Sequence, residues 1–272
     1  MTPGAKAPDW ESENGRVTLY CRDALAVLPR MRGIDCWLVD PPYSSGGMFR
    51  GDRMASTGDK YVLTGTERLL PDFAGDSRDQ RSWLTWCALW LSMMHEASSR
   101  VGTLFTFTDW RQLPSMCDAI QCGGWLWRGI IPWNKSEATR PQKGWFRAQC
   151  EYVITATAGP MAQEQERGGT CLSGLFTELM LASEKLHQTQ KPTALLTWLL
   201  TNTPETGTVC DCFMGSGSTC IAALRTGRRF IGVERDEVNF NVAKERIIRE
   251  LQSPQLPGLT PAPAHVELEL GI

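Results

Sequence analysis

The residues with the clearest chemical potential are Asp40-Pro41-Pro42-Tyr43. Two consecutive prolines lack backbone donors and fix a turn, so their carbonyls are left pointing outward as acceptors. A carboxylate stands beside them. An amine presented to this turn could give one hydrogen bond to Asp40 and another to the Pro41 carbonyl, which brings its nitrogen toward the geometry of a nucleophile. Tyr43 offers a face on which a flat base could stack. The plain alternative is a turn that merely ends a strand.

A second constellation is Asp211-Cys212-Phe213-Met214-Gly215-Ser216-Gly217-Ser218-Thr219. Glycines on a strand-to-helix turn let the backbone come close to a ligand, and the helix start offers unpaired N–H groups to a carboxylate or phosphate. The loop is neither the Gly-x-Gly-x-x-Gly of dinucleotide binders nor a Walker loop, because no Gly-Lys-Ser/Thr follows. About twenty residues on stands Glu234, at the tip of the next strand, where nucleotide-binding α/β units keep an acid for the ribose hydroxyls. Taken singly, the loop could be an ordinary turn and Glu234 a solvated acid.

The elements that must position these residues can be read from periodicity. Apolar alternation begins at 17–20, and the apolar run 34–39 stops abruptly at Asp40, as a buried parallel strand does. Residues 44–80 are rich in Gly, Asp, Arg and Ser and read as a long loop. A helix is predicted over 81–99, a strand over 101–107, a helix over 111–120, and strands over 127–133 and 151–157. The pattern is weak over 158–185. Pro192 suits a first helical turn leading into 194–200. A strand at 208–211 enters the glycine loop, a helix follows at 220–225, a strand at 229–233, and Asp236 caps a helix running to about residue 251. Such alternation predicts an α/β fold, a mainly parallel sheet with helices on both faces and ligands gathered at the carboxyl ends of its strands. One domain over 16–251 is expected, with a loose leader at 1–15 and a flexible Pro-rich tail at 252–272.

The 272 residues are 42% hydrophobic and 21% charged, which fits a globular protein and excludes a disordered or fibrous one. No apolar run approaches the ~20 residues of a membrane span, and the opening residues lack the apolar core of a signal peptide, so a cytoplasmic protein is expected. The ten cysteines include no Cys-x-x-Cys pair. They read as reduced core thiols, and no metal site is expected. A net charge of −2 excludes coating of nucleic acid by charge alone. It leaves room for a local basic patch: Arg128, Lys135, Arg140, Lys143 and Arg147 stand near Trp133, Trp145 and Phe146, a mixture suited to phosphate contact and wedging. A solvated basic loop is the alternative.

Together these residues resemble the DNA amino-methyltransferases. Asp40-Pro41-Pro42-Tyr43 is similar to the family's catalytic motif, and Phe213-Met214-Gly215-Ser216-Gly217-Ser218-Thr219 to its S-adenosylmethionine motif. The catalytic motif comes first and the cofactor loop last, the circularly permuted order of the beta class. Further matches are Leu19-Tyr20-Cys21-Arg22-Asp23-Ala24-Leu25, Ile131-Pro132-Trp133-Asn134-Lys135, His187-Gln188-Thr189-Gln190-Lys191-Pro192, and the stretch 228–235. Gln188 departs from the proline many relatives carry. The resemblance spans 17–251 and implies a Rossmann-like methyltransferase fold. It implies that Asp23 contacts the cofactor's adenine and Glu234 its ribose. The loop from Phe213 to Thr219, with Asp211 and Lys191, would hold the methionine part, and Asp40 would border it.

The implied reaction is direct displacement on a base flipped out of double-stranded DNA, with the amine polarised by Asp40 and the Pro41 carbonyl. Cytosine carbon-5 chemistry would need a nucleophilic cysteine after a proline, and no Pro-Cys pair occurs. Adenine N6 is expected as acceptor because the motif begins with Asp, where cytosine-N4 enzymes more often resemble Ser-Pro-Pro-Tyr; cytosine N4 is the alternative. Protein-glutamine methyltransferases carry a similar Asn-Pro-Pro-Tyr, but their glycine loop precedes it. A DNA-binding protein without catalysis is a further alternative, against which the intact Asp40 and glycine loop weigh. Target recognition is expected within about 135–186, shared with the loop 44–80. The resemblance also leaves a homodimer open, with residues 83–94 as either its surface or a buried core helix.

Overall fold

The two strands that end in the Asp40 turn and in the glycine loop are hydrogen-bonded neighbours at the centre of one sheet. In the computed structural model, which describes residues 7–43, 78–136, 139, 143–161, 172–178 and 191–253, the elements in chain order are β1 (Trp10–Glu11), β2 (Val17–Cys21), α1 (Ala24–Val27), β3 (Ile34–Val39), α2 (Gln80–Ala97), β4 (Ser98–Thr108), α3 (Leu113–Cys122), β5 (Leu126–Asn134), β6 (Cys150–Thr157), β7 (Phe176–Thr177), α4 (Thr193–Leu200), β8 (Thr208–Asp211), α5 (Ser218–Arg225), β9 (Arg229–Glu234) and α6 (Glu237–Gln252). Among the described residues the sheet has nine strands in the order β1-β2-β9-β8-β3-β4-β6-β5-β7.

From β2 through β4 every pairing is parallel, while β6 runs antiparallel to both β4 and β5. The chain leaves β3 toward β4 on one side and leaves β8 toward β9 on the other. The order therefore reverses between β3 and β8, and a crevice opens beyond their carboxyl ends, where doubly wound sheets bind ligands. Cys36 pairs with Val209 and Trp37 with Cys210, which sets the register of the two turns.

Side-chain alternation divides the core in two. Cys36 and Leu38 of β3 face one cluster with Leu195 and Leu199 of α4, Ile221 of α5 and Ile247 of α6. Trp37 and Val39 face the other, with Leu28, Trp83, Trp90 and Met94 of α2, and Ile120 of α3. A strand covered on both faces is apolar nearly throughout, which is why 34–39 reads as a continuous run. Two helices begin with an aspartate that accepts from the backbone N–H three residues on: Asp79 from Ser82 at α2, and Asp236 from Asn239 at α6.

The structure departs from the sequence reading in three places. The leader is not loose as far as residue 15: Trp10 and Glu11 pair with Leu19 and Thr18, and the Asp9 carboxylate accepts from Cys21 N at 2.9 Å. A two-residue strand is too short for alternation to betray it, and the same holds for β7. The four-residue α1 was likewise invisible to periodicity. Residues 83–94 follow the reading as a buried core helix: Trp83, Trp90, Leu91 and Met94 are completely buried, while Leu89 is half exposed. The bulk of the expected loop 44–80 and of the tail 252–272 lies outside the described residues. No helix among the described residues is long and apolar enough to cross a membrane.

Candidate active site

β3 delivers Asp40 to the crevice, and the prolines that follow stop the strand there because they cannot continue its ladder. The turn is held from behind: the Trp83 indole N–H donates to the Pro42 carbonyl at 2.8 Å. Trp86 and Trp90 continue the same face of α2, three and seven positions on, and pack edge-on against Phe213 of the glycine loop with centroids 5.6 and 5.2 Å away. One helix thus braces both turns, so their spacing depends on the rigidity of α2.

Asp40 uses both carboxylate oxygens. The Tyr43 hydroxyl donates to Oδ1, and the Lys191 ammonium donates to Oδ2 at 2.7 Å. The same ammonium lies 3.2 Å from Oε2 of Glu151, whose Oε1 accepts from Lys135. The Lys191 side chain is only 9% exposed and sits over the rings of Tyr43 and Phe107 at 5.5 and 5.1 Å. Burial alone would push this lysine's pKa down. Asp40 and Glu151 more than offset that and hold it above the ordinary lysine range, so it stays a cation. Burial pushes the Glu151 carboxyl up, but Lys191 and Lys135 outweigh it and keep the group below the usual carboxylate value. The Tyr43 phenol is raised by burial and by Asp40, and so serves as a donor. Two carboxylates and two ammoniums alternate along this network.

The glycine loop is built largely from its own residues. Asp211 accepts from Phe213 N at 3.0 Å and from the Thr219 hydroxyl at 2.7 Å, and burial, with smaller contributions from Asp40 and Glu234, pushes its carboxyl up to about 7. Gly217 has φ +78° and begins α5 without any side-chain cap, which leaves the helix start without a competing acceptor. A Cβ at Gly217 would lie 3.3 Å from the Ala243 Cβ, so the loop also needs the missing side chain to seat on α6. Glu234 grips the loop from the tip of β9, accepting from Gly215 N and Asp236 N, each at 2.8 Å. Asp23 caps α1 through Leu25 N and lies 3.7 Å from the Arg235 guanidinium, next to Glu234. Arg246 donates to the Ser216 carbonyl and the Ser218 hydroxyl from behind the loop.

The structure therefore brings Asp40, Pro41, Pro42, Tyr43 and Lys191 together on one side of the crevice, and Asp23, Asp211, Phe213, Gly215, Ser216, Gly217, Ser218, Thr219 and Glu234 on the other. The expected basic patch does not form as a unit. Arg128 lies at the far end of β5, bound to the Thr157 hydroxyl and the Gly159 carbonyl, because Leu126 pairs with Thr157 whereas Asn134 pairs with Cys150. At the rise of an extended strand, six residues separate Arg128 from the crevice end by roughly 20 Å. Lys135 is turned inward onto Glu151, and Trp133 is buried. Lys143 and Arg147 are exposed together with Trp145 at 73% and Phe146 at 81%. Arg140 lies outside the described residues.

Glu151 was missed by the sequence reading, as were Trp83, Trp86 and Trp90 as braces of the two turns. Nothing local marks Glu151, a single acid opening an apolar strand; only the pairing of β5 with β6 sets it opposite Trp133 and near Lys135. Cys212 sits inside the loop but is buried, and burial pushes its thiol well above the ordinary range, which leaves no thiolate for nucleophilic work.

Residues 34–245 match the model of the N6/N4 methyltransferase family, described as DNA methylase. The chain is similar to the type II methyltransferase M2.LlaDCHI of Lactococcus lactis subsp. cremoris, with 26% identity over 259 residues, 88% of this chain and 91% of that protein. Among solved structures, M1.HpyAVI in its SAM complex aligns with a TM-score of 0.61 at 20% identity, over 85% of this chain and 98% of that one. PvuII DNA methyltransferase, described as cytosine-N4-specific, aligns with a TM-score of 0.63 at 14% identity, over 91% and 95% respectively. At such identities the structural likeness concerns the fold.

Proposed function

The chain belongs to the N6/N4 DNA methylase family, and from that premise we propose that it transfers a methyl group from S-adenosylmethionine to the exocyclic N6 amine of an adenine flipped out of double-stranded DNA, in the cytoplasm. The observation that carries the reading is the pairing of β3 with β8, which sets Asp40 and the glycine loop on adjacent strand ends.

The loop suits this cofactor. The uncapped start of α5 and the left-handed glycine before it form a cradle for a carboxylate, which S-adenosylmethionine carries on its methionine part. Asp211 offers a carboxylate for the neighbouring ammonium, and Glu234 and Asp23 stand where ribose and adenine would follow. When bound, the cofactor supplies an electrophilic sulfonium methyl.

The chain's own residues then do the following. Tyr43 releases Oδ1 of Asp40 and becomes available to stack on the base. Oδ1 and the Pro41 carbonyl accept the two amine hydrogens, the Pro42 carbonyl being taken by Trp83. That pairing would orient the nitrogen lone pair toward the methyl group that the bound cofactor would supply. Positive charge develops on the nitrogen beside the Asp40 carboxylate, which stabilises it and receives the proton the product sheds. Lys143, Trp145, Phe146 and Arg147 are the surface we assign to duplex contact.

The likeness to a cytosine-N4-specific enzyme favours cytosine N4 as the second reading. Incubating the full chain with methyl-labelled S-adenosylmethionine and unmethylated duplex DNA, then analysing nucleosides by mass spectrometry, separates them. N6-methyladenine is the expected product. N4-methylcytosine would move the acceptor, and no label in DNA would overturn the reading.

A further inference from the structure

Resting on the methyl-transfer reading above, we infer that Glu151 is a positioning residue: it holds the Lys191 ammonium between two carboxylates, so that Asp40 is oriented by Lys191 without surrendering its negative charge to it. The Glu151 carboxylate meets two lysines, Lys191 and Lys135. It acts through Lys191.

The geometry makes the case. Lys191 is anchored just before α4, with its ammonium 2.7 Å from Asp40 and 3.2 Å from Glu151. The Tyr43 and Phe107 rings flank it, so its charge has few partners besides these two carboxylates. A buried cation with a single carboxylate partner would concentrate its charge on that carboxylate. Here that carboxylate is the group expected to stabilise charge on the methylated nitrogen, and a fully neutralised Asp40 would stabilise it poorly. A second carboxylate on the same ammonium divides the cation. Lys135, held to Glu151 from the neighbouring strand, keeps Glu151 in place.

A purely structural role explains the arrangement less well. Buried ion networks cost desolvation and seldom stabilise a fold more than an apolar replacement would. This one stands at the end of the sheet that holds Asp40, with one of its members bonded directly to that residue. Its placement relates to the site rather than to the core.

The test uses the full-length chain and its Glu151→Gln and Glu151→Asp variants, with methyl-labelled S-adenosylmethionine and unmethylated duplex DNA. Glu151→Gln should lower kcat about tenfold or more while both KM values stay within about twofold, the pattern of an interaction that matters only in the transition state. Glu151→Asp, which keeps the charge, should recover much of kcat. In parallel, acetic anhydride labelling read by mass spectrometry should find Lys191 protected in the wild type and several-fold more reactive in Glu151→Gln. A Glu151→Gln enzyme with wild-type kcat overturns the inference. So does a loss of kcat that Glu151→Asp does not relieve and that comes with unchanged Lys191 protection and reduced thermal stability. If the wild type puts no label into DNA, the proposed function fails on its own, and Lys191 reactivity alone then decides whether Glu151 positions that lysine.

Discussion

The Lys191 ammonium meets the Asp40 carboxylate at 2.7 Å, although 151 positions separate the two residues in the chain. The contact ties the turn after β3 to the entry of α4 and occupies Oδ2 of Asp40, leaving Oδ1 as the other oxygen. Tyr43 holds that other oxygen in the structure, so a substrate amine must displace a hydroxyl rather than enter an empty place.

Asp40→Asn keeps the shape of the site and removes its charge. Methyl transfer should fall by about 10²–10³-fold, the scale of losing one preorganised electrostatic partner in a desolvated site. Cofactor affinity should change little. Single-turnover label transfer measures the first and equilibrium dialysis the second; a wild-type rate would remove Asp40 from the chemistry.

Lys191→Met leaves Asp40 and Glu151 facing one another without their shared cation. Stability should drop by about 3–5 kcal/mol at neutral pH, as when one partner of a buried pair is removed. The contribution of Glu151 to the pH dependence should also shrink. In the wild type the Glu151 carboxyl is held low, so its contribution is present above its unfolded value and is lost as pH falls through the depressed one. In the variant Glu151 keeps only Lys135 against its burial, so the stability it loses on acidification is smaller. Urea denaturation from about pH 3 to about pH 7 compares the two curves, the Asp211 contribution being common to both; parallel curves would refute the pairing.

Asp211 supplies a second pH test. Its carboxyl is pushed up to about 7 by burial, so between the unfolded value and pH 7 the folded state keeps a proton that the unfolded state has released. Unfolding free energy therefore falls as pH rises through that window. Asp211→Asn should flatten the decline, which is measured as the difference between the wild-type and variant denaturation curves. An unaltered slope would show that Asp211 ionises normally.

Gly217→Ala forces a side chain into a left-handed backbone at φ +78° and against Ala243. The backbone term costs about 1–2 kcal/mol. Because the strain falls on the start of α5, S-adenosylmethionine binding should weaken more than the fold does. Calorimetric titration beside thermal melting separates the two effects, and equal losses would argue against a cofactor cradle here.

Lys143→Ala with Arg147→Ala tests the assigned DNA surface. If both contact phosphates, the slope of log binding constant against log salt should shrink by about 2 in the double variant. Fluorescence anisotropy with a labelled duplex at several salt concentrations reads it directly. An unchanged slope would take both residues out of the interface.

Local chemistry wrote much of this molecule into its chain. Apolar residues at the periods of strand and helix located the major elements, because each must bury a face. Asp40-Pro41-Pro42-Tyr43 and the loop 213–219 were recognisable because their functions need backbone peculiarities, missing donors in one and left-handed glycines in the other, that few residue types supply. Short elements escaped, since Trp10–Glu11 and Phe176–Thr177 are strands only by virtue of a partner.

Side-chain partnerships were decided by tertiary structure alone. Arg128 and Lys135 stand close in sequence, yet an extended strand carries one away from the crevice and the antiparallel pairing of β5 with β6 turns the other onto Glu151. Trp83, Trp86 and Trp90 read as core, and only the packing of α2 showed that they also brace both turns. A motif is legible where its chemistry lies in consecutive residues. The network of Asp40, Lys191, Glu151 and Lys135 is drawn from distant segments, and it exists because charges buried at one sheet end must find each other in space.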